Sequence, residues 1–161
     1  MSSNILYRAK STRRDASNEA VVVHCSDHRF QEGFREFVAH GLGLSTYAPL
    51  VIPGGGHFAS IEHLQPKLAK VGMQSLKFLI ERTGARKVIL IGHEGCLFFK
   101  DQVQFEFTET NLNDKQIASM KRAAQVIADR FPRTPVESYF VSADSTGALT
   151  FLTISEASNN L

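Results

Sequence analysis

Two short hydrophobic runs, Ala20-Val21-Val22-Val23 and Val88-Ile89-Leu90-Ile91, are apolar at every position. A strand with one wet face alternates apolar and polar residues, so unbroken runs of this length read as strands covered on both sides. That is the condition of a parallel sheet between layers of helix. The segments between the runs supply the helices. The first strand, Ala20 to His24, ends at Cys25, and from Phe30 the apolar residues Phe30, Phe34, Phe37 and Val38 recur at helical spacing until Gly41 and Gly43 stop them. Tyr47 to Ile52 reads as a second strand. It breaks at Pro53-Gly54-Gly55-Gly56, a run that cannot continue a ladder and exposes backbone N–H groups. A helical pattern follows, irregular through Ile61 and Leu64, restarted at Pro66, firm at Met73, Leu76, Leu79 and Ile80, and ended by Gly84. The third strand, Lys87 to Gly92, delivers the chain into His93-Glu94-Gly95-Cys96.

After a stretch carrying Phe98, Phe99, Phe105 and Phe107, Asn113 has the look of an N-cap with Gln116 three residues on. It opens a helix through Ile117, Met120, Ala124, Ile127 and Phe131 that Pro132 and Pro135 close. Val136 to Ser142 and Ala148 to Ile154 are two strands joined by Asp144-Ser145-Thr146-Gly147, a hairpin turn. The element order predicts an open α/β fold: a mostly parallel five-stranded sheet flanked by helices, in the order 2-1-3-4-5, with the last strand antiparallel. With 161 residues, 43% of them hydrophobic, the chain has the length and apolar content of one domain. We place that domain at 20–161, behind a basic, flexible arm at 1–19 that carries Arg8, Lys10, Arg13 and Arg14. A net charge of +2 gives no general attraction to nucleic acid. No apolar run approaches the roughly 20 residues that cross a bilayer, and the N-terminus lacks the apolar core of a secretory signal. The expected location is the cytoplasm, with no membrane partner.

In sheets of this kind ligands bind beyond the carboxyl ends of the strands, where neighbouring crossovers diverge. If strands one and three are neighbours, Cys25, His93 and Cys96 converge there, and two thiolates with one imidazole make three-quarters of a tetrahedron. Zinc suits that donor set, and the fourth position is left for water. Taken from the cysteines alone, two ordinary buried thiols, a disulfide or thiol-redox chemistry remain open. Asp27 and Arg29 are spaced to form a carboxylate–guanidinium pair beside the site, or an ordinary surface ion pair. His28 reads equally as a proton shuttle or an exposed loop histidine, and His57 as a residue of the same cleft or a structural one. Gly54-Gly55-Gly56 is a tight turn by default. Phe98 and Phe99 would wall an apolar pocket, or else belong to the core or a dimer interface. A cysteine-phosphatase loop is excluded, because Gln31 stands six positions after Cys25 where that loop needs arginine.

Cys25-Ser26-Asp27-His28-Arg29 and His93-Glu94-Gly95-Cys96 resemble the Cys-x-Asp-x-Arg and His-x-x-Cys signatures of the β-class carbonic anhydrases. Ser75 to Cys96 is similar to that family's helix, strand and zinc turn, and Val136 to Leu149 to its C-terminal hairpin, so the resemblance runs from Ala20 to Ile154. It implies zinc as cofactor, held by Cys25, His93 and Cys96, with Asp27 and Arg29 as the catalytic dyad. Asp27 would be a fourth ligand in a closed state of the site and the partner of Arg29 in an open one. The implied reaction is that of a carbonate dehydratase, a zinc lyase in which zinc-bound hydroxide converts CO2 reversibly to bicarbonate. A homodimer or higher homo-oligomer is implied as well. Leu97 stands where the family has glycine, Pro53-Gly54-Gly55-Gly56 replaces its Asn-Ala-Gly stretch, and its bicarbonate-binding glutamine has no match here. Two alternatives therefore stand beside the first reading: a zinc hydrolase acting on another small electrophile such as CS2 or COS, and a non-catalytic zinc- or bicarbonate-binding protein.

Overall fold

The structure, a computed structural model, describes residues 5–102 and 112–154. Its centre is a five-stranded sheet in the order β2-β1-β3-β4-β5. The strands are β1 (Ala20–His24), β2 (Tyr47–Val51), β3 (Lys87–His93), β4 (Val136–Ala143) and β5 (Leu149–Thr153). The first four are parallel and β5 returns antiparallel to β4, as the element order predicts.

The two non-alternating runs occupy the middle of the sheet, and their packing explains their composition. Val21, Val23, Val88 and Leu90 face one core with Phe58, Leu76, Met120 and Ile127, whereas Ala20, Val22, Ile89 and Ile91 face the other with Phe30, Phe34 and Val38. The first core lies under α2 (Pro66–Thr83) and α4 (Leu112–Arg130), which carry Leu76 and Met120. The edge strands differ in kind. β2 contains Pro49, tolerated where one side of the ladder is unpaired, and β5 buries only alternate residues, turning Leu149 and Phe151 inward. Residues 5–18 form no helix or strand and are largely exposed. Among the described residues no helix is long and apolar enough to cross a membrane.

The helix expected from Phe30 is subdivided into a 3₁₀ turn at His28–Phe30, α1 at Gln31–Glu36 and a π turn at Phe37–Gly41. The π turn is closed by the Leu42 N–H, which donates to the Phe37 carbonyl at 2.8 Å. Its cause is packing: the Phe37 ring stacks on Phe151 at 4.1 Å and meets Tyr139 edge-on. Gly41 makes room, since a Cβ there would lie 2.6 Å from the Phe37 ring. A second difference concerns Asn113, which lies inside α4 rather than capping it, while Gln116 is buried and turned toward the sheet. Phe98 and Phe99 fall on the short α3 (Leu97–Gln102), and Phe105 and Phe107 lie outside the described residues.

Leu76 has no exposed surface and sits in the core beneath α2. Leu76→Ala is expected to destabilise the fold by about 2–5 kcal/mol, the usual cost of a buried leucine truncated to alanine. Chemical denaturation would show it as a lower midpoint at unchanged slope.

Candidate metal centre

β1 and β3 run side by side in register, His24 opposite Ile91, so their carboxyl ends emerge together at one edge of the core. Cys25 is the first residue beyond β1, His93 is the last of β3, and Cys96 follows on the turn that Gly95 forms with φ +59. Their donor atoms all lie within 4.8 Å of one another, and all three residues are buried. The two sulfurs are 3.9 Å apart as free thiols rather than a disulfide. A tetrahedral zinc bound at about 2.3 Å to each sulfur would separate them by roughly 3.8 Å, so the spacing fits such an ion. The histidine is poised in the same sense. Its Nδ1 meets the Glu94 carbonyl at 2.9 Å, an acceptor only, so Nδ1 carries the proton. Nε2 is left with a lone pair, buried and without a hydrogen-bond partner among the described residues. The residues fit a borderline-soft divalent cation.

The thiols are electrostatically unequal. The hydrogen bond from Cys96 pulls the Cys25 thiol well below its ordinary value, with further help from the Gly54 N–H, while the same contact and burial push Cys96 up. Binding a divalent cation would require both sulfurs as thiolates.

Asp27 and Arg29 form a forked pair. Arg29 Nε and Nη2 reach the carboxylate at 3.0 and 2.6 Å, and the Arg29 backbone N–H adds a third bond at 3.0 Å. The guanidinium holds the Asp27 carboxyl down at about 2. The acid is sheltered, with 8% of its side chain exposed against 50% for the arginine. Arg29 Nη2 also reaches the Gly95 carbonyl at 3.3 Å, tying the pair to the turn that carries Cys96. A cleft of about 600 Å³ opens on this side, lined by Arg29, Phe30, Glu94, Gly95 and Leu112.

Several supporting residues escape the sequence reading. Gln31 donates through Nε2 to the carbonyls of Cys25 and Asp27, at 3.0 and 2.7 Å, and so staples the turn between them. Gln116 donates to the His93 carbonyl at 2.7 Å. A signal for Gln116 was present: residues 116, 120, 123 and 127 form one stripe of α4, and Gln116, with its neighbour Ser119, is polar on a face that is otherwise apolar and buried. Gly54 donates its N–H to Cys25 Sγ at 3.3 Å. Glu94 accepts from the Ala143 N–H at the end of β4.

Of the other candidates, His28 is exposed and His57 is fully buried. Phe98 and Phe99 pack against Cys25 and Cys96, and Phe99 also lies against the His57 ring at 4.4 Å. Leu97 is 63% exposed.

No protein-family model matches the sequence, and no curated protein matches it. Solved structures do match. The β-carbonic anhydrase isoform I of Trichomonas vaginalis is similar over 90% of this chain and 87% of its own, with 15% identity and a TM-score of 0.55. The β-carbonic anhydrase CafA of Aspergillus fumigatus is similar over 86% of this chain and 77% of its own, with 15% identity and a TM-score of 0.50. The chain thus has the β-carbonic anhydrase fold in a divergent form, the fold that its two short motifs imply.

The glycine loop before His57 is built for close approach. Gly55 has φ +54, and a Cβ on it would stand 2.9 Å from the Cys25 backbone nitrogen. Gly43 has φ +65 with nothing within 4 Å of its Cβ position. Gly43→Ala should therefore cost only the left-handed strain, about 1–2 kcal/mol. Gly55→Ala should cost clearly more and also speed alkylation of Cys25. Thermal unfolding with timed thiol labelling of both variants checks this.

Proposed function

We propose that the protein is a zinc-dependent, carbonic anhydrase-like lyase that hydrates CO2 to bicarbonate, with Cys25, His93 and Cys96 as ligands and Asp27 and Arg29 as the catalytic pair. The observation that carries the reading is the buried Cys25–His93–Cys96 cluster beside an Asp27 carboxylate already engaged by Arg29. Zinc, when bound, supplies the Lewis acidity that brings the ionisation of a water molecule near neutral pH.

The chain's own residues account for the rest. Asp27 stays ionised at neutral pH because Arg29 holds it, so its oxygens act as hydrogen-bond acceptors and can orient a water by accepting a hydrogen bond from it. Arg29 fixes the direction of that acceptor, and Gln31 fixes the backbone on which both stand. Asp27 is turned to the guanidinium and lies outside the group of converging donor atoms, so it would leave a position beside the cluster open to solvent. Arg29 and Phe30 line the cleft through which a small neutral substrate enters. In solution we place the protein in the cytoplasm as a homodimer or higher homo-oligomer.

Purified protein should carry one zinc per chain by elemental analysis, and a chelator should release it with exposure of two alkylatable thiols. Stopped-flow measurement should show CO2 hydration proportional to bound zinc. Cys96→Ser should lose the zinc and the turnover together. Asp27→Asn should keep the zinc and slow turnover, because the amide replaces one of the two acceptor oxygens with an N–H. Stoichiometric zinc with no CO2 hydration would refute the anhydrase reading.

A further inference from the structure

The two edges of the sheet are guarded differently. β2 carries Pro49, which hinders pairing with another strand. β5 has no such guard: Ala148 to Ile154 holds no charged residue and no proline, and the register of β5 on β4 runs without a bulge. Among the described residues no strand lies beyond it. The bonds to β4 show which backbone groups are left over. The Ile154 N–H donates to the Ser138 carbonyl at 2.8 Å, and the Asp144 N–H to the Ala148 carbonyl at 3.0 Å. Bonded and non-bonded pairs alternate along an antiparallel ladder, so residues 148, 150, 152 and 154 turn their N–H and C=O groups to β4. Leu149, Phe151 and Thr153 turn theirs outward, to the open edge.

A groove of about 510 Å³ lies beside that edge, between α1 and β5. Phe37, Leu149 and Phe151 give it an apolar lining, with Glu36 and His40 on the helical side. The helical segment sends Phe34 and Val38 into the core, so the groove opens on the side away from it. On the opposite face of β5, Thr150 is exposed and Leu152 is 59% exposed. The outward groups of Leu149, Phe151 and Thr153 are spaced evenly about Phe151. An identical strand laid antiparallel therefore matches all of them about a two-fold axis, and with no charge on either copy nothing repels it.

We infer that β5 is an interface at which a second copy of this chain adds its own β5, antiparallel, with Phe151 on the two-fold axis. Phe151 then pairs with Phe151 of the second copy and Leu149 with its Thr153, each pair exchanging both backbone bonds. Residues directly opposite share a face, so Phe151 and Leu149 of the second copy enter the groove under α1, while its Leu152 is covered by Thr150. Arg29 and Leu149 line both this groove and the cleft beside the metal cluster, so the interface abuts the cleft.

The inference rests on the homo-oligomer placed under the proposed function, and on neither zinc nor turnover. Sedimentation of the intact protein tests it, with variants at the two exposed positions. Thr150→Lys/Leu152→Lys sets lysines opposite one another across the axis and should halve the mass of the assembly. Thr150→Glu/Leu152→Lys sets opposite charges there and should restore it. In the wild-type assembly the amides of Leu149, Phe151 and Thr153 should exchange with deuterium as slowly as those of Thr150 and Leu152. A wild-type protein with the mass of one chain would overturn the oligomer and the interface together. An assembly that keeps its mass with both lysines, stays dissociated with the swapped charges, or exchanges the three outward amides rapidly would overturn the interface alone. The exchange measurement decides the matter even where a variant fails to fold.

Discussion

The parallel pairing of β1 with β3 is the constraint on which the candidate site rests. Each strand is buried on both faces, so a slip of one residue would send Val21 and Val23 from the α2/α4 core into the Phe30/Phe34 core and displace their partners in β3 as well. Register is therefore fixed by packing on two sides. Because Cys25 follows His24, which pairs with Ile91, and His93 lies two residues beyond Ile91, the fixed register carries over directly into the spacing of the donor atoms. A metal site placed at the ends of edge strands would lack this support.

Around the donors lies a layer of hydrogen bonds that holds backbone rather than side chain. Gln31 grips the Cys25 and Asp27 carbonyls, Gln116 the His93 carbonyl, and Glu94 the end of β4. The Gly54 N–H reaches the sulfur itself. Such outer contacts orient ligands and tune a metal. Here they come from four separate segments, so the geometry of the cluster depends on the assembled fold. Asp27 is the clearest case, since its partner Arg29 is local but Arg29 is also anchored to Gly95 across the site.

The glycine run after β2 and the segment after Cys96 meet in space. Gly54 lacks a side chain where a Cβ would collide with the Phe98 ring at 2.4 Å, and Phe98 packs against the two thiols. The glycine run and the phenylalanines after Cys96 thus form a matched pair, one vacating the volume that the other fills. Leu97 is largely exposed and excluded from that packing.

The sequence by itself determined the strand order, the antiparallel return of β5 and the three converging donors, because each is encoded in a local run: two non-alternating strands, each leading into a short polar motif. It did not reveal the π turn at Phe37–Gly41, which follows from the stacking of Phe37 on Phe151, more than a hundred residues away. Nor did it assign Gln116, which reads locally as part of a helix cap and becomes a support for His93 only when α4 is laid on β3. His57 was similarly undecidable from the sequence. Its tautomer depends on Ser119, 62 residues along the chain, and a histidine's proton is set by whichever partner the fold brings to its ring. Local pattern fixes which elements form and where motifs fall on them; which polar atoms meet, and which are left bare, is decided by packing between elements distant in sequence.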